Sequence, residues 1–99
     1  MKTTLDNAKL SHMPANAKKA FKELEALGAP VKVWHITDEN DDDYRGYFWI
    51  DAERYDSSLW ADYYDNFWGS DKLNEILEAN GLYFEWYNAA YSCVYDLDN

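Results

Sequence analysis

The chain has 99 residues, enough for one domain with a single core and too few for two. A formal charge of −10 excludes the usual nucleic-acid binder, which sets cations against phosphates, and opposes docking on an anionic membrane. One Cys and two His fall short of a zinc set unless carboxylates or a second chain contribute, and Cys93 has no internal disulfide partner.

Residues 1–12 read as an arm or a short helix. Lys2 is followed by no apolar run, so no signal peptide is expected, and no stretch approaches the roughly 18 apolar residues of a membrane span. Pro14 suits a helix entrance, and Ala17, Ala20, Phe21, Leu24 and Leu27 then repeat three and four apart, predicting an amphipathic helix stopped by Gly28 and Pro30. The β-rich runs 31–36 and 44–50 predict a hairpin, with the acidic stretch 37–43 as its loop. Strand, turn and helix signals overlap in 51–57.

Asp56 or Ser57 can cap a second helix whose wide aromatic face holds Leu59, Trp60, Tyr63, Tyr64, Phe67 and Trp68, with Gly69 as its stop. Ala61, Asp62, Asp65 and Asn66 lie on its other side. Ser70 then caps a third helix, 71–79, with Leu73, Ile76 and Leu77 inward and Asp71, Glu75 and Glu78 opposite them. After Gly81, the aromatic-rich runs 82–87 and 91–97 predict a second hairpin turning at Asn88, Ala89 and Ala90. The expected fold is one α+β domain over 1–99, with about four antiparallel strands in two hairpins and three helices packed on the sheet. Leu24 to Gly28 (LEALG) and Leu77 to Gly81 (LEANG) match at four of five positions, which suggests a helix–hairpin repeat.

The composition joins an acid excess to 18 aromatic residues, 5 Trp, 9 Tyr and 4 Phe, and so many rings argue against disorder. A core of this size has room for roughly half of them, at about 150–250 Å² each. The others are left for the surface, where Tyr and Trp serve as binding anchors. Charge is divided along the chain: residues 1–37 hold six Lys against three acids, or +3, and 38–99 hold three cations against 16 acids, or −13. Such a dipole steers encounters with basic partners.

Three chemistries fit poorly. A calcium loop starting at Asp38 would put Asp43 at the turn glycine and Trp49 at the bidentate acid; starting at Asp41 it fits Gly46 but puts Arg45 fifth and Ala52 twelfth. Carboxylates beside Trp and Tyr are the ingredients of a glycosidase, but a deep cleft needs more scaffold than this. Cys93 lies in a predicted strand, where it reads as a buried filler rather than a nucleophile with His12 or His35. No catalytic residue, metal or cofactor is therefore assigned, and no enzymatic activity is expected.

Phosphates lie about 3.4 Å apart along each DNA strand, and helix positions three or four apart hold side chains about 5–6 Å from one another. Asp62 with Asp65, and Asp71 with Glu75 and Glu78, have that spacing, and Asp51 with Glu53 has the strand equivalent. After Lys32 only Arg45, Arg54 and Lys72 are present to compensate them. In size, charge, acidic helices and Tyr and Trp content the chain resembles, at class level, the small acidic DNA-mimic inhibitors of phages and mobile elements, the anti-restriction and anti-CRISPR proteins. No motif aligns, so no residue role is carried over. The resemblance implies a stoichiometric blocker of the nucleic-acid site of a host defence nuclease or surveillance complex, working in a bacterial cytoplasm as a monomer or dimer without binding nucleic acid itself. An immunity or antitoxin protein capping a basic toxin, and a small cation- or ligand-binding module, are the alternatives.

The expected contact surface is the helical pair. Asp62, Asp65, Asp71, Glu75 and Glu78 would supply charge, and Trp60, Tyr64 and Trp68 the anchoring rings. The acidic loop of Asp38, Glu39, Asp41, Asp42 and Asp43 is secondary, because a flexible loop loses entropy on ordering and holds no fixed spacing.

Overall fold

A computed structural model describes residues 13–33 and 46–97, and these form an α+β unit, a four-stranded antiparallel sheet with two helices on one face. Helix α1 (Ala15–Ala26) begins after Pro14, whose extended backbone lies just outside the first turn. Its apolar positions three and four apart, Ala17, Ala20, Phe21 and Leu24, are buried. The helix ends in a Schellman turn: Gly28 N donates to Glu25 O and Ala29 N to Leu24 O, both at 3.0 Å, with Gly28 at φ 88°. Leu27, expected on the buried stripe, caps the helix instead and is 50% exposed.

Strand β1 (Val31–Lys32) pairs antiparallel with β2 (Trp49–Asp51), Val31 opposite Ile50 and Lys32 opposite Trp49. Val33 follows β1 outside the ladder and is buried, and residues 34–45 of the expected first hairpin, with its acidic loop, lie outside the described residues, as does the expected arm 1–12. Residues 46–48, within the predicted run 44–50, are irregular. Gly46 takes φ 67°, while Tyr47 N donates to Val94 O at 2.8 Å and Val94 N to Phe48 O at 3.0 Å, the two-against-one count of a bulge.

Helix α2 (Asp71–Ala79) is capped as its sequence predicts, Ser70 Oγ accepting from Leu73 N at 3.1 Å. Leu73, Ile76 and Leu77 are buried, and the helix stops at Gly81, φ 72°. Strands β3 (Leu82–Asn88) and β4 (Tyr91–Asp96) form the second hairpin, in which Asn88 Oδ1 accepts from Ala90 N at 2.8 Å across the turn. The sheet order β1-β2-β4-β3 sets β4 beside β2 and leaves β3 at an edge.

The pairing registers sort the side chains by face. Val31, Ile50, Val94, Leu82 and Phe84 point to the helices and join one core with Leu24, Leu73 and Leu77. Each fully buried Leu in it contributes about 1.5–3 kcal/mol. Phe21 of α1 meets Phe48 edge to face, with centroids 5.2 Å apart. On the other face, β4 carries Cys93, fully buried, between Tyr91 and Tyr95.

The expected middle helix is absent. Residues 57–69 make a short 3-10 turn, Ser57–Leu59, and then a loop closed by reciprocal bonds, Asp62 N to Asn66 O at 3.0 Å and Asn66 N to Asp62 O at 2.9 Å. The cause is local. Asp62 Oδ1 accepts from Tyr64 N and Asp65 N, both at 3.0 Å, and Asn66 Nδ2 donates to Ser58 O at 3.0 Å. Short polar side chains thus take the main-chain groups a helix would need. The aromatic spacing in this stretch mimicked a helical face without specifying one. The described unit therefore has two α-helices rather than three. Its halves share the glycine-ended helices, Gly28 and Gly81 both at positive φ, which by itself does not establish a repeat.

Candidate protein-binding surface

The loop 57–69 rests on the sheet through its aromatic residues. Trp86 Nε1 donates to Phe67 O at 2.8 Å, and the two rings stack with centroids 5.8 Å apart. Tyr63 meets Phe67 at 5.3 Å and Trp86 at 5.4 Å, both edge to face. Gly69, at φ 82°, returns the chain toward α2 so close to Phe84 that a Cβ there would lie 2.9 Å from the Phe84 ring. Asn74 of α2 finishes the join, its Nδ2 donating to Trp68 O at 2.9 Å and to Ser70 O at 3.1 Å.

Between this loop, the start of α2 and β3 lies a cleft of about 430 Å³, lined by Phe67, Trp68, Asn74, Phe84, Glu85 and Trp86 among others. Its walls are mostly aromatic. Glu85 brings the carboxylate, and Tyr83 Oη donates to Glu85 Oε2 at 3.2 Å.

The residues expected at the contact surface divide into two groups. Tyr64 is 82% exposed and Trp68 81%, and Asp65, Asp71, Glu75 and Glu78 also face solvent. Asp71, Glu75 and Glu78 share the outer side of α2, opposite its buried stripe, as expected. Trp60 and Asp62 belong instead to the scaffold. Trp60 is half-buried against the core, and its carbonyl accepts from Ser70 N at 2.7 Å. Asp62 is an organiser of the loop: main-chain donation from Asp65 and Tyr64, and then the Ser57 hydroxyl, hold its carboxyl below the ordinary carboxylate range. Ser57 Oγ stands 2.9 Å from Asp62 Oδ2 and 3.1 Å from Ala52 O. The loop acids Asp38, Glu39, Asp41, Asp42 and Asp43 lie outside the described residues.

Ion pairing among the described residues joins Lys19 to Glu23 at 3.8 Å and Arg54 to Asp56 at 2.6 Å. Arg54 grips both Asp56 oxygens, lowering the Asp56 pKa and raising its own, and also donates to Gly28 O at the end of α1. It is therefore occupied. Asp65, Asp71, Glu75 and Glu78 have no ion-pair partner among the described residues. No group of three His, Cys, Asp or Glu among the described residues could hold a metal ion.

The cleft was not legible as a site in the sequence, because Phe84 and Glu85 read only as strand residues. The available signal was the alternation of Leu82, Phe84 and Trp86, which puts three large side chains in one row on the core face of β3. Nothing local says that Phe67 and Trp68 meet that row. No family model matches the chain, and no similar curated protein or solved structure was found. Among the described residues no helix is long and apolar enough to cross a membrane.

Proposed function

We propose that the protein is a stoichiometric inhibitor that binds the nucleic-acid site of a basic protein, a DNA mimic of the kind found among anti-restriction and anti-CRISPR proteins. The observation that carries this reading is that the stretch 64–78 exposes Asp65, Asp71, Glu75 and Glu78, none ion-paired among the described residues, together with the rings of Tyr64 and Trp68. Acids left without cations repel one another, and a basic partner removes that cost on binding. Charge gives steering and register, while desolvated rings supply the affinity that exposed charges rarely provide. The helix fixes its carboxylates about 5–6 Å apart on a rigid support, so they can face a row of Lys and Arg with little loss of entropy.

The test uses the protein immobilised and exposed to a bacterial lysate, followed by elution with excess duplex DNA. A nucleic-acid-handling protein is retained, and DNA releases it. Retention that DNA cannot reverse favours an immunity protein bound at an exosite. Retention that survives reversal of Asp71, Glu75 and Glu78 to Lys would remove the acidic face from the mechanism.

A further inference from the structure

Strand β3 is the longest described strand, seven residues, and it lies at the sheet edge with β4 on one side only. Which of its main-chain groups face outward follows from the hydrogen bonds. Leu97 N donates to Gly81 O at 2.8 Å, and the alternation of antiparallel pairs then turns the N–H and C=O of Tyr83 and Glu85 toward β4. Val94, opposite Phe84, spends its own N–H and C=O on β2-side partners, Phe48 O and Tyr47 N, which confirms the phase. The main-chain groups of Phe84 and Trp86 therefore point away from the sheet. No described residue bonds to them.

The aromatic cleft opens along this same edge, because it is lined both by Phe84 and Trp86 from the helix side of β3 and by Glu85 from the opposite side. Free edges are normally protected by a bulge or a charge, since they invite pairing with another chain. Here the register shift between Trp86 and Asn88 bounds the edge at its far end, leaving the cleft side open. The charge at its middle is the acid Glu85. It repels a second copy of a chain whose net charge is −10 and attracts a basic segment.

Resting on the reading of a basic partner, we propose that the outer edge of β3 is a strand-pairing site for an extended basic segment of that partner, one of whose Arg side chains enters the cleft beside Glu85. Main-chain bonds to Phe84 and Trp86 hold the segment, as in other complexes formed by strand addition. The guanidinium stacks on the Trp68 or Trp86 ring and meets the Glu85 carboxylate, a match of shape and charge that Lys makes less well.

The experiment titrates the full-length, 15N-labelled protein with the capped hexapeptide Arg-Val-Arg-Val-Arg-Val. Two analogues, N-methylated at either all Arg or all Val nitrogens, and an all-Glu version in place of Arg, serve as comparisons. Binding is expected to shift the amide resonances of Phe84 and Trp86 and slow their hydrogen exchange. One methylated analogue binds about tenfold or more weaker than the other, since only alternate N–H groups face β3. The Glu peptide does not bind, and Glu85→Lys weakens the Arg peptide while its melting curve stays near that of the parent. Equal affinity of the two methylated analogues, or shifts confined to α2, would overturn strand pairing. So would Phe84 and Trp86 amides already protected without peptide, which would mean that a second copy or the chain itself occupies the edge. If the peptide fails while DNA still releases the captured protein, the strand site falls and the acidic surface stands. If the peptide binds as expected and DNA releases nothing, the mimic reading falls alone.

Discussion

The indole N–H of Trp86 donates to the carbonyl oxygen of Phe67 at 2.8 Å, joining an edge strand to a loop 19 residues earlier in the chain. This bond and the ring stack over it give the cleft its wall. Trp86→Phe keeps an aromatic ring but loses the donor. Stability should fall by about 1–2 kcal/mol in urea denaturation, and amides 62–68 should exchange faster than those of α1. Unchanged exchange in the loop would show that Trp86 does not hold it.

Reversal of Asp71, Glu75 and Glu78 to Lys should separate binding from folding. Lys at position 71 is unfavourable at the positive end of α2, and Lys at 78 is favourable near the negative end, each by about 0.3–1 kcal/mol, so the two changes nearly cancel. The denaturation midpoint should move little. Affinity for the captured partner should fall by more than tenfold, and the remaining binding should depend less on salt.

Asp62 should act through the fold rather than through its charge. Asp62→Ala removes the acceptor of two main-chain bonds and should cost about 1–2 kcal/mol, whereas Asp62→Asn keeps an acceptor oxygen and should cost less. Its pKa is lower in the folded protein than in the unfolded chain, so the folded state binds fewer protons and stability rises with pH across that interval. This contribution is complete above the ordinary carboxylate value of about 3.9 and is lost as pH falls below it through the folded value. In Asp62→Asn the acid limb of a stability–pH curve should be flatter. An identical limb would refute the assignment.

Two glycines with nearly the same φ should differ when changed to Ala. Gly28, φ 88°, has nothing near the added Cβ, so only the left-handed backbone is penalised, by about 1–2 kcal/mol. Gly69, φ 82°, would place that atom 2.9 Å from the Phe84 ring. Its replacement should cost more than the change at Gly28 and should also move the resonances of Phe84 and Trp86. Equal losses would mean that the ring shifts freely and the cleft floor is soft.

Much of the scaffold follows from sequence alone, because its signals are local. The α1 stripe of Ala17, Ala20, Phe21 and Leu24, the Ser70 cap, the glycine stops at Gly28 and Gly81 and the 82–97 hairpin each depend on residues within a turn or two of one another. So does the exposure of Asp71, Glu75 and Glu78, which is fixed once Leu73, Ile76 and Leu77 turn inward. Residues 57–69 depart from a helix for a physical reason: rings three and four apart fit one, but Ser57, Asp62 and Asn66 give the backbone other partners, and Tyr63 and Phe67 pack on Trp86 of the sheet. Those contacts lie far apart in sequence and are decided by packing. The sheet order β1-β2-β4-β3 is of the same kind, since the β-rich runs specify strands but not neighbours. Tertiary structure alone, by leaving β3 at the edge and laying Phe67 and Trp68 beside it, turned scattered aromatic residues into a cleft with a carboxylate at its mouth.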